Sequence, residues 1–193
     1  MTREQALELL HKHMANANLR KHCYAVEAVM GALYDRLNTN KNDNERQRWM
    51  IAGLLHDADY EETKDTAKTD HTKKVLEWLK ELDVHADITN AIASHAWGYL
   101  DVAPEPQTPM QWALFCCDEL TGLIVATALV KPDKKLASVT VDSVMKKWNS
   151  PSFAAGVDRT QIENCQSRLG IPLSEFIQIA LTAMQGISGD LGL

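Results

Sequence analysis

The sequence predicts an all-α protein. Apolar residues recur at intervals of three and four along almost the whole chain, which is the spacing of one face of an α-helix. No stretch alternates between apolar and polar residues as a half-buried strand would. The helical stretches are separated by short polar or proline-containing breaks. With 193 residues, the length favours one domain with its own core, and we expect a single domain over residues 1–193.

The N-terminal part of the chain predicts three helices. The first covers about residues 3–15, and Asn18 is a candidate N-cap for the second, which carries His22 on its apolar face. The polar run 38–44 predicts a loop, and the third helix extends from about residue 45 to Asp57. Residues 58–65 (ADYEETKD) are too polar and irregular for a core element. Their position directly after the third helix predicts the rim of a site.

The rest of the chain predicts six more helices. The fourth starts near Thr69 and carries His71 on one face, and the fifth covers about 85–97 and carries His95. A loop with three prolines leads into a long sixth helix that contains Asp118 and ends at residues 131–135. The last three are expected at about 138–148, 158–169 and 173–188, with Asp158 and Ser174 as N-caps.

Composition and charge exclude several classes of protein. The net charge is −6, from 20 basic and 26 acidic residues, which argues against binding to nucleic-acid polymers or anionic membranes. The four cysteines form no CxxC pair and are expected to be buried apolar residues in a reducing cytoplasm. The N-terminus is charged throughout, unlike a signal peptide. Residues 110–130 are apolar enough to cross a bilayer, but Asp118 and Glu119 near the middle favour a buried central helix.

The most informative feature is the His56-Asp57 doublet at the end of the apolar run WMIAGLL. An imidazole and a carboxylate in an apolar helix lower stability unless each finds a strong partner. Further polar residues lie on apolar faces of other predicted helices, namely His22, His71, His95 and Asp118. A divalent metal site would satisfy all of them together, since imidazole and carboxylate are common ligands. The alternatives are separate hydrogen-bond partners for each histidine and a salt bridge for Asp118.

These residues resemble the HD superfamily of metal-dependent phosphohydrolases, whose motif His … His-Asp … Asp matches His22, His56, Asp57 and Asp118. The resemblance is strongest to a branch of small predicted HD hydrolases with an HDxDYE-type motif, through the segments HDADYEETKD, TGLIVATALVKPDKKLASV and SFAAGVDRTQIENC. It extends over about residues 18–190. It implies an HD-type helical bundle with a core at about 18–130 and a C-terminal helical extension at about 131–193. It also implies one or two divalent metal ions (Mn, Fe, Co, Ni, Zn or Mg).

The resemblance leaves the number of metals open. In two-metal members, additional histidines lie between the doublet and the final Asp, and here His71 and His95 occupy that interval while Asp57 would bridge. Where some of those members have paired histidines, this chain has His95-Ala96 and would lack one ligand. His71 and His95 would therefore bind a second metal or contact the substrate phosphate.

The implied activity is hydrolysis of a phosphate ester or anhydride of a small metabolite, such as a nucleotide, by metal-activated water. Asp57 is the central candidate catalytic residue. Asp59 and Glu61 are candidates for orienting water or transferring a proton, with Glu61 favoured, and loop capping is their alternative role. The candidates for contact with the substrate phosphate are Arg20, Lys64 and Lys131.

Two other functions fit the same residues. An HD-type fold can hold a di-iron pair, so an oxidase or oxygenase is one alternative. A regulatory module that binds a nucleotide without turning it over is the other, although the complete His/His-Asp/Asp set argues against it. The expected partner is a small phosphorylated substrate, with no membrane and no nucleic-acid polymer, and a homo-oligomer is compatible with the sequence.

Overall fold

The computed structural model describes all 193 residues, and they form a helical structure without β-strands. The prediction of an all-α fold is confirmed. The α-helices are α1 (Arg3–His13), α2 (Ala17–Leu37), α3 (Asp43–Leu55), α4 (Tyr60–Thr63), α5 (Ala67–Asp70), α6 (Lys73–Glu81), α7 (Ala86–His95), α8 (Pro109–Leu129), α9 (Val141–Trp148), α10 (Arg159–Leu169), α11 (Leu173–Gly186) and α12 (Ser188–Leu191). Short 3₁₀ turns occupy Lys64–Thr66 and Leu136–Ser138.

The first two helices are each capped by a side chain that accepts hydrogen bonds from free backbone N–H groups of the first turn. Thr2 forms a capping box with Gln5 at the start of α1. The N-cap of α2 is Asn16, whose side chain accepts hydrogen bonds from the backbone N–H groups of Asn18 and Leu19. The predicted N-cap Asn18 was therefore wrong by two residues. Both asparagines have a suitable side chain, and only the path of the chain selects between them.

The centre of the bundle is formed by α2, α3 and α8, which pack against one another and bury a continuous apolar cluster. Gly53 allows α2 and α3 to approach closely, because a Cβ atom there would lie 2.9 Å from the carbonyl oxygen of Val26. By length and composition, α8 is the one helix that could cross a membrane, but 67% of its apolar window is buried inside the fold. Its apolar character is that of a central core helix, as the sequence predicted.

The segment after α3 is helical where an irregular structure was predicted, although it does lie beside the site, because Tyr60 lines the cavity described below. Residues 60–70 form the short helices α4 and α5, joined by a 3₁₀ turn. Asp59 and Thr63 are fully buried in this segment. The next helix, α6, begins only at Lys73, after Thr72 adopts a left-handed conformation with φ of 70°. His71 therefore precedes the fourth predicted helix instead of lying on its face.

The C-terminal helices pack on the central ones. α10 lies along α8, and α11 contacts both α2 and α8. Asp158 caps α10 as predicted, accepting from the N–H groups of Thr160 and Gln161. Ser174 is not a cap, because α11 already begins at Leu173 after Pro172. The four cysteines are free and buried, which confirms their reading as small apolar residues.

Candidate metal centre

Three central helices bring the first group of ligands together. α2 carries His22, the end of α3 carries His56, and the middle of α8 carries Asp118. His22 Nε2 lies 2.9 Å from Asp118 Oδ1 and 3.1 Å from His56 Nε2. His56 Nε2 lies 3.4 Å from the same carboxylate oxygen. The three donor atoms are close enough to bind one cation.

A second group forms around the other side of Asp57. Its Oδ1 atom lies 3.3 Å from His71 Nε2 and 3.5 Å from His95 Nε2. The two imidazole nitrogens are 3.1 Å apart. The Oδ2 atom of Asp57 faces the first group, at 3.7 Å from His22 Nε2 and 3.6 Å from His56 Nε2. One carboxylate thus presents an oxygen to each cluster of histidines.

The second ring nitrogen of each histidine is held by an acceptor. His56 Nδ1 lies 2.8 Å from the carbonyl oxygen of Gly53, and His95 Nδ1 lies 2.5 Å from that of Ile92. A carbonyl oxygen can only accept, so both rings carry a proton on Nδ1. Nε2 of each ring is therefore the atom that faces Asp57 and is available for a further proton or a metal ion.

The Nδ1 atoms of His22 and His71 are held by side chains instead of backbone carbonyl oxygens. The Thr121 hydroxyl donates to the carbonyl oxygen of Asp118 at 2.8 Å, so it accepts from His22 Nδ1 at 3.2 Å. His71 Nδ1 lies 3.2 Å from a carboxylate oxygen of Asp59. Such partners are typical of metal-binding histidines, because they fix the tautomer and raise the basicity of the ring.

This arrangement fits a metal site. Two neutral rings protonated on Nδ1 would direct their Nε2 lone pairs at each other across 3.1 Å, in both the His22–His56 and the His71–His95 contacts. Such a contact is stable only when a cation, either a proton or a metal ion, is shared between the nitrogens. The imidazole and carboxylate donors suit Zn, Fe, Mn, Co and Ni.

The pKa values are consistent with cations at these positions. Burial lowers the pKa of His56, but the negative charges of Asp57 and Asp118 outweigh it and raise the pKa to about 9. Burial also opposes protonation of His71, yet hydrogen bonds to Asp57 and Asp59 raise its pKa to about 10. The pKa of His95 is lowered, by burial and by the charge of His71. Without metal, protons on two rings therefore balance the carboxylates.

The two central carboxylates respond in the opposite direction. Burial disfavours the charged forms of Asp57 and Asp118, but the neighbouring imidazolium of His56 outweighs it and holds both pKa values well below their usual range. Both groups are thus carboxylates at neutral pH and available as ligands.

Asp59, a candidate catalytic residue in the sequence, lies beneath the site and has no exposure. Besides His71 Nδ1, its oxygens accept the backbone N–H groups of Thr72, Lys74 and Val75 at 3.1–3.3 Å. It therefore orients His71 and binds the first N–H groups of α6. Because it does not line the cavity, the structure does not place it where it could contact a substrate.

The structure also does not bring Glu61, the candidate for proton transfer, or the three predicted phosphate contacts into the lining of the cavity. Glu61 accepts a hydrogen bond from the backbone N–H of Asn16 at 2.8 Å. The guanidinium of Arg20 donates to the carbonyl oxygens of Met14 and His11. The remaining two, Lys64 and Lys131, lie in segments that do not line the cavity. Arg20 and Lys64 were predicted to contact phosphate because they are close in sequence to the ligands. Closeness along the chain does not place a side chain in the cavity.

A cavity of about 770 Å³ opens over the histidines and carboxylates. Its volume is in the range of sites for small metabolites. The residues that line it beyond the ligand groups include Tyr60, Trp97, Tyr99, Phe115, Glu119, Gly122, Asp158, Thr160, Gln161 and Asn164. Sequence reasoning did not assign Glu119 to the site, although its position beside Asp118 was a signal. No local pattern indicated that α10 would form part of the wall.

Glu119 is the one half-buried carboxyl group of the cavity with a raised pKa. Burial and the negative charge of Asp118 raise it to about 7, while the backbone N–H of Asp158 donates to it at 3.1 Å and acts in the opposite direction. The carboxyl group connects α8 with the start of α10.

Comparison with known proteins agrees with this geometry. The model of the HD domain family matches residues 19–120, more than half of the chain. The chain belongs to the HD domain family. The matched range starts in α2, ends in α8 and includes all six residues of the two clusters. A search of curated proteins found no match.

Membership of the HD family confirms the resemblance seen in the sequence and agrees with the all-α fold. HD domains bind divalent metals, and most are metal-dependent hydrolases. Within the six residues of the two clusters, the donor atoms of His22, His56 and Asp118, and those of His56, Asp57 and His95, lie close enough together to hold a metal ion. The closer likeness to HDxDYE-type small hydrolases stays a prediction, and the wall formed by α10 lies outside the matched range.

Proposed function

We propose that this HD domain is a metal-dependent phosphohydrolase that cleaves a phosphate ester of a small metabolite. The observation that carries the proposal is the carboxylate of Asp57, with one oxygen toward His22 and His56 and the other toward His71 and His95. This arrangement favours two metal positions that share Asp57. The missing partner at Ala96 leaves the second position with fewer protein ligands than the first.

The chain's own residues would prepare the site for phosphate chemistry. The hydrogen bonds to Nδ1 keep the imidazole Nε2 atoms directed at the centre, so little reorganisation is needed on binding. When bound, divalent metal ions lower the pKa of water and offset the charge of a phosphoryl group. The cavity over Asp57 and Asp118 would hold the substrate and exclude bulk water from one side of it.

The test joins metal content with phosphate release. Protein purified without chelators is analysed for metals and assayed with p-nitrophenyl phosphate and a panel of phosphate esters, beside Asp57→Asn. We expect bound divalent metal and phosphate release in the wild type, and loss of both in the variant. The matched control is Asp65→Asn, an exposed residue a few positions along the same segment, which should keep both. A metal-loaded protein that releases no phosphate from any ester would overturn the proposal.

A second function is favoured by the same shared carboxylate. Two histidine clusters bridged by one Asp would also hold a pair of irons, as an oxidase or oxygenase requires. Two equivalents of iron, oxygen consumption and no phosphate release would favour this alternative. A nucleotide-binding module without turnover would retain nucleotide binding in Asp57→Asn.

A further inference from the structure

One side of the cavity comes from α10 and the turn before it, outside the range that matches the HD family. The residues that this segment contributes are Gly156, Asp158, Thr160, Gln161 and Asn164. Since they lie outside the shared HD region, they are suited to determine what this particular chain accepts beside the metal site. Gly122 of α8 lies close to the same segment, as a Cβ atom there would be 3.8 Å from Val157.

The polar side chains of this wall present hydrogen-bond acceptors. Gln161 donates its side-chain NH₂ to the carbonyl oxygen of Phe115 at 2.7 Å. Asn164 donates its own to the carbonyl oxygens of Thr160 and Gln161. The Thr160 hydroxyl donates to Asp158 at 2.6 Å. Asn164 uses its NH₂ group in two such bonds, whereas Gln161 keeps one N–H free. The carbonyl oxygens of both amides accept no hydrogen bond within the protein, so they are left for a bound molecule.

The charges of the cavity point in the same direction. Beside the metal-site carboxylates, Glu119 and Asp158 line it, and no lysine or arginine does. Arg159 is close in sequence, but its guanidinium donates to five backbone carbonyl oxygens, among them those of Trp148 and Phe153. On the side of the cavity away from the metal site, a second phosphate or a carboxylate on the substrate would therefore meet negative charge with no basic side chain to balance it.

We propose that the α10 wall selects a phosphomonoester whose organic part carries hydrogen-bond donors, hydroxyl or ammonium groups, and no second anionic group. This inference rests on the phosphohydrolase function proposed above. Asn164 and Gln161 accept from the donors of the substrate, while the carboxylate of Asp158 repels additional negative charge. The cavity volume of about 770 Å³ suits a sugar phosphate or a molecule of similar size.

The experiment measures competition among esters with the same phosphate group on a six-carbon body. Metal-loaded protein hydrolyses p-nitrophenyl phosphate while glucosamine 6-phosphate, glucose 6-phosphate, 6-phosphogluconate or glucose 1,6-bisphosphate is added, and inhibition constants are compared. We expect the first two to bind at least about tenfold more tightly than the last two, about 1.4 kcal/mol. Equal constants, or tighter binding of the two anionic esters, would overturn the inference.

Two charge variants test the wall directly. Asn164→Lys adds a cation at the cavity, and Gln166→Lys adds the same charge at an exposed position of the same helix. We expect Asn164→Lys to reduce the discrimination against glucose 1,6-bisphosphate about tenfold, and Gln166→Lys to leave it unchanged. If Asn164→Lys does not fold, Asp158→Asn provides the second test, since it removes a negative charge from the cavity and keeps an oxygen that can cap α10, and it should shift the ratio in the same direction. An unchanged ratio in the folded cavity variant would contradict the proposal.

Failure of the proposed function would be distinguishable from failure of this inference. If p-nitrophenyl phosphate is not hydrolysed, binding of the same four esters to the metal-loaded protein is measured by calorimetry. The same order of affinities would then support the acceptor wall even though hydrolysis is absent, and an inverted order would contradict it.

Discussion

Replacing Asp59 by Asn would test whether this buried carboxylate supports the metal site from below. One oxygen of Asp59 accepts from His71 Nδ1 and from the backbone N–H of Thr72, both at 3.2 Å. The other accepts from the N–H groups of Lys74 and Val75, at 3.1 and 3.3 Å. An amide has one oxygen and one NH₂ group, so whichever way it turns, the NH₂ faces two donors.

The expected loss follows from those two pairs of hydrogen bonds. Two bonds to a charged acceptor disappear, and each contributes roughly 1.5–3 kcal/mol. The unpaired N–H groups are buried, although water and small shifts relieve part of the loss. We therefore expect Asp59→Asn to lower the free energy of unfolding by about 3 kcal/mol and to weaken metal binding roughly 10- to 100-fold, because His71 loses its orientation.

The assay is urea denaturation of the metal-free protein together with calorimetric titration of Mn²⁺. Asp65→Asn, which alters an exposed carboxylate of the same segment, should change neither quantity. Excess metal should restore activity to the folded Asp59→Asn protein, because the group acts through His71. Unfolding free energy and metal affinity equal to those of the wild type would refute this role for Asp59. Failure of excess metal to restore activity would favour a direct catalytic role.

Three further predictions follow from the helix packing and from the site. Gly53→Ala should lower the free energy of unfolding by about 1–3 kcal/mol, because its Cβ would lie 2.9 Å from the backbone of α2. The control Gly186→Ala, with open space around it, should be neutral or stabilising. If urea denaturation shows that the Gly53 variant is as stable as the wild type, the close packing is contradicted. Metal binding at pH 7 should release one to two protons, because the pKa values of His56 and His71 lie at about 9 and 10 in the metal-free protein. Calorimetry in buffers of different ionisation enthalpy measures the release, and no buffer dependence would argue against it. The same raised pKa values stabilise the metal-free protein below about pH 6.5, and this contribution should be lost as the pH rises through 9 to 10.

The candidate ligands and the α10 wall of the cavity lie in different parts of the chain. The ligand clusters lie within residues 19–120, where the chain matches the HD family. The wall of Asp158, Gln161 and Asn164 comes from helices that follow this range. Under the proposed function, we expect substitutions in α10 to alter substrate selectivity before they alter metal binding, because no candidate ligand lies in α10.

Several features were predictable from local pattern alone. Helical periodicity identified the major helices, and the presence of His22, His56, Asp57 and Asp118 on apolar faces indicated a shared site. The reason is that burying an isolated imidazole or carboxylate is unfavourable, so several such residues on apolar faces imply a common partner. The long apolar helix was correctly assigned to the core because Asp118 lies in its middle.

Other features depended on tertiary structure. Asp59 and Glu61 look equivalent in the sequence, two residues apart in one acidic segment, yet one binds His71 and α6 while the other binds the start of α2. Arg20 and Lys64 are near the ligands along the chain, but neither lines the cavity, and the guanidinium of Arg20 donates to backbone carbonyl oxygens instead. Sequence distance fails as a guide here because neighbouring residues on a helix diverge by about 100° per position.

What the sequence determined by itself was the all-helical fold and the set of candidate metal ligands, because both follow from residue type and from spacing along a single helix. What only the tertiary structure decided was the division of those groups into two clusters around Asp57, the anchoring of His71 by Asp59, and the acceptor wall of α10. Each of these joins segments far apart in the chain. Their contacts depend on how whole helices pack, and no local pattern specifies that.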